Sequence, residues 1–113
     1  MPWYAIRTVY QFGLKSDGKN VFEERIVCFE AADWAEVHAK AWEEADHYAK
    51  MHDFAVHSQQ EAYEQDGDAL IDGYEIWSQL FESKQSLNQF YDNRYKRYKY
   101  SPEEKYFSEK ARD

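Results

Sequence analysis

A chain of 113 residues supports one domain, able to bury about two-thirds of the surface its unfolded form exposes. Aromatic residues make up 19% of it, with 10 Tyr, 7 Phe and 4 Trp, which argues against a disordered chain despite 32% charged residues and a mean hydropathy of -0.96. The formal net charge of -8 is unevenly spread: residues 1–83 carry 6 Lys/Arg and 17 Asp/Glu, a net of -11, and residues 84–113 carry 8 and 5, a net of +3.

Residues 3–12 alternate, with Tyr4, Ile6, Thr8, Tyr10 and Phe12 on one side and Trp3, Ala5, Arg7, Val9 and Gln11 on the other, a period of two rich in strand formers. Ser16, Asp17 and Gly18 signal a turn. Alternation resumes over 21–30, Phe22, Ile26 and Cys28 on one face and Val21, Val27 and Phe29 on the other, completing a hairpin with a loop longer than the two-residue kind. The spacing then changes to three and four. Trp34, Val37, His38, Ala41, Ala45, Tyr48 and Ala49 predict a helix over 34–50, with Asp33 and Glu36 at capping-box spacing. Trp42 falls just off that stripe, placed to meet a partner or the chain's own tail.

An extended pattern returns from Phe54 to Tyr63, followed by the turn residues Asp66, Gly67, Asp68, Asp72 and Gly73. Over 74–81, Tyr74, Ile76, Ser78 and Leu80 oppose Glu75, Trp77, Gln79 and Phe81, which predicts a second hairpin. After Ser86, Leu87, Phe90, Tyr91, Tyr95 and Tyr98 recur at helical offsets, and Ser101 with Pro102 marks a further helix start. The expected fold class is α+β in the order ββαββα, an antiparallel sheet with a helix packed on one face and a C-terminal helix. One domain over 1–113 is expected, made of an acidic ββαββ body (1–83) and a basic, tyrosine-rich helical segment (84–113).

Three motifs carry a resemblance. Trp3-Tyr4-Ala5-Ile6-Arg7, then Phe22-Glu23-Glu24-Arg25-Ile26-Val27, then Asp72-Gly73-Tyr74-Glu75-Ile76-Trp77-Ser78 after an Ala-rich helix resemble a family of short bacterial proteins of unknown function, domain of unknown function family 4288. The likeness covers about residues 3–91 and leaves out the tail from Asn93. It implies the ββαββ arrangement and a bacterial cytosolic setting, and it brings no activity and no catalytic residue.

Chemistry-bearing residues are sparse in pattern. His38, His47, His52 and His57 lack the C-x-x-C or H-x-x-x-H pairing of zinc sites, even with Asp46 and Asp53 nearby, and scattered surface imidazoles are the simpler reading. Asp66-Gly67-Asp68 departs from a calcium loop, because Leu70 stands two residues past Asp68 and Trp77 occupies the twelfth position. Cys28 reads as a buried, inert thiol with no histidine in its hairpin to activate it. Ser78 lies in a strand rather than at a nucleophile elbow, and the chain's 4 Gly make no phosphate-cradling loop. Glu23 and Glu24 point to opposite faces of a strand, and Glu23 is expected to pair with Arg7 or Arg25. No metal, cofactor or catalytic set is therefore expected.

The tract 94–100 interleaves Arg94, Lys96, Arg97 and Lys99 with Tyr95, Tyr98 and Tyr100, as single-strand nucleic-acid binders do. A net charge of -8 opposes a phosphate backbone, and Leu87, Phe90, Tyr91, Tyr95 and Tyr98 on one helical stripe are more simply packing residues docked on the body. No apolar run approaches the ~18 residues of a membrane span, no secretory leader is visible, and a lone cysteine suits a reducing compartment, so a cytoplasmic protein with no membrane contact is expected.

What remains is a non-catalytic binding protein, most like a bacterial immunity protein that neutralises a basic toxin domain, because an acidic body steers a cationic partner. Its expected partner-binding residues are Glu61, Glu64, Asp66, Asp68, Asp72 and Glu75 in the densest acidic stretch, with Trp77 and Trp42 as aromatic anchors. The alternative is a self-associating structural or regulatory domain, a homodimer, since apolar residues on both faces of the second strand need cover on two sides.

Overall fold

The computed structural model describes residues 1–65, 67, 72–73 and 75–102. The alternation of the first thirty residues forms a long antiparallel hairpin of β1 (Trp3–Leu14) and β2 (Asn20–Glu30). Its loop closes through bonds from the Lys15 amide to the Lys19 carbonyl and from the Gly18 amide to the Lys15 carbonyl, with Gly18 at φ 90°, where a side chain would be strained. Register runs from Trp3 opposite Glu30 to Gln11 opposite Phe22, then slips before Gly13, so Phe12 is the extra residue of a bulge.

Helix α1 (Trp34–His52) starts where the capping pattern places it. The Asp33 carboxylate accepts the Glu36 amide at 2.9 Å, and the Glu36 carboxylate reaches back to the Ala32 amide at 3.1 Å. Asp53 ends the helix in the left-handed region at φ 59°, its N–H shared between the Ala49 and Lys50 carbonyls. The buried stripe is Val37, Ala41, Ala45 and Ala49, every fourth residue, and three alanines in four let the helix backbone approach the sheet closely.

Strands β3 (Ala55–Val56) and β4 (Glu61–Glu64) both pair antiparallel with β1, β3 at Tyr10 and Gln11 and β4 from Tyr4 to Arg7. They are two pieces of one line along β1, broken over 57–60. The fold is thus α+β: a four-stranded antiparallel sheet with β1 between β2 and the β3–β4 line, and α1 connecting the two edges.

The second hairpin expected over 54–63 and 74–81 does not form. Both short strands come from 55–64, and residues 75–81 contain no strand, Tyr74 lying outside the described residues. The alternation there has another cause. Glu75, Trp77 and Gln79 touch Tyr63, Arg7 and Glu61 on the sheet, so an extended segment covers a sheet face with every second side chain and makes no ladder.

Between α1 and the sheet the core has two parts. One joins Tyr4, Ile6, Ala31, Val37 and Ala41 with Phe29 against them; the other joins Tyr10, Ala45 and Ala49 with Trp42, Tyr48, Phe54 and Val56. Between them sits a polar contact, in which the Gln60 amide donates to the Thr8 hydroxyl at 2.9 Å and to the Ala41 carbonyl at 3.4 Å. Arg25 fastens α1 to the sheet through both oxygens of Glu44, at 2.8 and 2.7 Å, with its guanidinium 3.8 Å from the centre of the Tyr48 ring. Glu23 accepts from the Tyr48 hydroxyl, while Arg25 and Arg7 pair with Glu44 and Glu61; the expected Glu23–Arg cross-strand pair is replaced because the helix supplies both partners of β2.

The chain divides into two compact units, Met1–Gln79 and Leu80–Asp113. In the second, α2 (Leu87–Tyr91) opens on a reciprocal Ser86–Gln89 capping box and runs on as a π-helical stretch, Asp92–Lys96. Leu87, Tyr91, Tyr95 and Tyr98 are exposed, which corrects the expectation of a buried stripe. Their ring contacts stay local, Tyr91 on Tyr95 and Phe81 on Phe90, because five α-helical residues are too few to present a continuous face. Pro102 is not helical, and the helix start expected at Ser101 otherwise falls outside the described residues. Among the described residues no helix is long and apolar enough to cross a membrane.

Candidate functional site

Arg7 is the charged residue the fold treats most unusually. It sits mid-strand in β1 on the face turned away from α1, opposite Ile26 on one side and Glu61 on the other, and only 8% of it is exposed. A buried guanidinium needs a counter-charge and filled donors. Here Glu61 takes Arg7 Nη2 at 2.8 Å, and the Trp77 ring lies with its centre 5.0 Å from the guanidinium carbon. The second Glu61 oxygen accepts from the Gln79 amide at 3.2 Å, Tyr63 packs 6.0 Å from Trp77, and the Tyr63 hydroxyl donates to Glu75. One sheet face thus carries a closed network: arginine, two acids, two aromatic rings and a glutamine.

Six of the eight expected partner-binding residues lie among the described residues. Glu61, Glu75 and Trp77 belong to this network. Trp42 does not: it lies on α1, half-buried against the Tyr10 part of the core. Glu64 ends β4 as an exposed residue and Asp72 is exposed in a turn, while Asp66 and Asp68 lie outside the described residues. Of the acids that can be described, two are occupied by internal bonds and two stand free to meet solvent.

A second concave region opens where the β3–β4 line breaks. A cleft of about 540 Å³ is lined by Val9, His38, Trp42 and residues 57–61. Its imidazoles come from α1 and from the break itself. His57 Nδ1 accepts the Gln59 amide at 3.1 Å, which leaves the proton of the neutral ring on Nε2. Among the described residues Ser58 has no hydrogen bond to either imidazole, so the lining offers polar and aromatic contact rather than an activated nucleophile. The sequence signal for this cleft was weak: His38 and His57 are nineteen positions apart and line one cleft where the strand breaks. Of the other histidines, His52 stacks on Phe54 with ring centres 5.2 Å apart, and among the described residues no three His, Cys, Asp or Glu side chains gather in a metal-holding group.

Cys28 is exposed, not buried as its apolar strand suggested. The even-numbered residues of β2 point away from α1, and the 75–79 segment contacts Arg7 and the β4 residues Glu61 and Tyr63, leaving Phe22, Ile26 and Cys28 uncovered. In the second unit, Arg94 is half-buried with its guanidinium 5.2 Å from the Phe81 ring centre and 5.8 Å from that of Tyr95, so one base of the tract is committed to local aromatic contact.

Titration is shifted at three tyrosines. Burial raises Tyr10, whose hydroxyl has no hydrogen bond of normal geometry among the described residues although Arg25 and Thr8 lie close. Burial also raises Tyr4, with Glu64, Asp33 and Glu36 adding to it. Tyr48 is raised first by its bond to the Glu23 carboxylate and then by burial. No family model, no curated relative and no solved structure matches this chain.

Proposed function

We propose that this chain is a non-catalytic binding protein acting in the cytoplasm on a basic protein partner, most like a bacterial immunity protein that neutralises a toxin domain. The observation that carries this reading is the charge layout: a net of -11 over residues 1–83, with Glu43, Asp46, Glu64 and Asp72 among its exposed acids. Exposed acids of one sign speed the encounter with a cation, and a desolvated aromatic holds it. Trp77 beside Glu61 and Glu75 supplies such an aromatic, already ordered by Arg7. The ordered Trp-Tyr-Ala-Ile-Arg, Glu-Glu-Arg-Ile and Asp-Gly-x-Glu motifs argue for a place beside the bacterial family they resemble.

The product of the adjoining reading frame is the probe. Co-expression should restore growth suppressed by that product, and the two purified chains should form a one-to-one complex. Glu64→Lys with Asp72→Lys should slow association several-fold at low salt and less at high salt. A neighbour that is neither toxic nor basic, or an association rate unchanged by the double reversal, would sink the reading. Self-association is the second reading, favoured by the uncovered apolar side of β2.

A further inference from the structure

Residues 94–100 are all Arg, Lys or Tyr, and they follow directly on α2. The Arg97 amide reaches back to the Asp92 carbonyl at 2.8 Å, closing the π-helical stretch, and the Lys99 amide to the Lys96 carbonyl at 3.3 Å. Backbone bonds thus hold the tract wound as far as Lys99. A buried aromatic stripe would have withdrawn its rings from any ligand. Instead Tyr91 is 52% exposed, Tyr95 58% and Tyr98 78%, and Lys96, Arg97 and Lys99 are exposed beside them. Rings and cations share one surface. Lys96 Nζ lies 5.9 Å from the centre of the Tyr91 ring, the Arg97 guanidinium carbon lies 5.1 Å from that of Tyr98, and the Tyr91 and Tyr95 rings stand 5.2 Å apart. Arg94, half-buried over Phe81 and Tyr95, supports the tract rather than facing a ligand. Lys96 also reaches Asp92 at 3.5 Å, an exposed pair that a phosphate displaces at small cost.

We propose that this surface, Tyr91, Tyr95 and Tyr98 with Lys96, Arg97 and Lys99, binds single-stranded nucleic acid. A nucleotide presents a flat ring and an anion next to each other, and the tract presents a ring and a cation next to each other. An anionic membrane surface asks for a different arrangement, with apolar side chains on one helix face and bases on the other. An acidic peptide matches the cations but offers few flat groups to the tyrosines. A duplex hides the base faces that stacking requires, which leaves the single strand. The acidic charge of residues 1–83 repels phosphate, so the contact is confined to the tract and its affinity is modest. None of the acids invoked for a basic partner takes part, and the two proposals stand or fall separately.

Fluorescence anisotropy of a labelled oligothymidylate of about 15 nucleotides, titrated with the full chain, tests it. Saturable binding is expected, weakening with salt on a log–log slope no steeper than about -2, since three cations contribute about -0.7 each. A duplex of the same length should bind several-fold more weakly. Tyr98 lies beyond the π-helical stretch, so Tyr98→Ala should lower affinity about five-fold or more with the salt slope kept, whereas Tyr98→Phe keeps the ring and should stay within about two-fold. Lys96→Gln with Arg97→Gln and Lys99→Gln should flatten the slope and abolish most of the binding. All these side chains are exposed, so an unchanged melting temperature separates lost contact from lost fold. Failure to bind at low salt overturns the proposal, and retention on phosphatidylserine vesicles in its place would assign the tract to a membrane surface. A duplex bound as tightly as the single strand, or a Tyr98→Ala chain that binds undiminished, reduces the contact to bare charge and overturns it as well. So does binding that survives the three glutamines, which would place the nucleic acid elsewhere on the chain.

Discussion

At the scale of single residues, the buried phenol of Tyr10 makes a sharp prediction. Its hydroxyl lies in the core with no hydrogen bond of normal geometry, so Tyr10→Phe should change stability at neutral pH by no more than about 1 kcal/mol, in either direction. Tyr48→Phe differs, because it deletes the bond to Glu23, and its urea midpoint should fall. The pH dependence follows from the raised titration of Tyr10, caused first by burial. The fold favours the neutral phenol, so the unfolded chain, titrating near 10, ionises first. Stability is whole below that pH and declines as pH rises toward the folded value, with Tyr4 and Tyr48 shifted the same way. Urea titrations at neutral pH and above pH 10 should show Tyr10→Phe losing less stability on alkalinisation than the parent chain. An equal loss would assign the alkaline sensitivity to the other two tyrosines.

Elements show how far sequence pattern reaches. The hairpin and α1 were legible because period two and period four each ran for ten residues or more, and Asp33 with Glu36 marked the helix start. The 75–81 segment misled because its alternation reflects side chains laid on a sheet face, a pattern that period two does not distinguish from a paired strand. The break over 57–60 carried no marker beyond polar residues, yet it creates the cleft and admits Gln60 between the two parts of the core. Of the network around Arg7, charge and aromatic content singled out Glu61, Glu75 and Trp77 as residues of interest but not their internal contacts, whereas Arg7 was missed: one arginine in an alternating strand reads as a solvent-facing residue until a covering segment is known. That covering is testable as an interaction. In a cycle of Arg7→Met, Trp77→Leu and both together, urea denaturation should report a coupling of about 0.5–1 kcal/mol between the guanidinium and the indole. Additive losses would mean the segment is held by the Tyr63 contacts to Glu75 and Trp77 instead.

On the scale of the whole molecule, charge and burial divide the chain near the same place. Net charge changes sign between residues 83 and 84, and the compact units part after Gln79. Every buried hydrophobic side chain among the described residues lies between Tyr4 and Ala49, and the buried polar ones are Arg7, Thr8 and Gln65. Folding free energy follows buried apolar area, so the first unit holds the core that a cooperative transition reports. A chain ending at Gln79 keeps that core together with Trp77, Gln79 and their contacts to Arg7 and Glu61. It should therefore unfold cooperatively with a melting temperature within a few degrees of the full chain, and with an unfolding slope in urea reduced little. It also loses the net positive charge of 84–113, so self-repulsion in what remains is less offset, and added salt should raise its melting temperature more than it raises that of the full chain. Loss of cooperativity on truncation would show instead that residues beyond Gln79 contribute to the core. A full-length melting temperature equally sensitive to salt would show that the basic segment does not offset the acidic one. Differential scanning calorimetry of the two chains at low and high ionic strength decides both points.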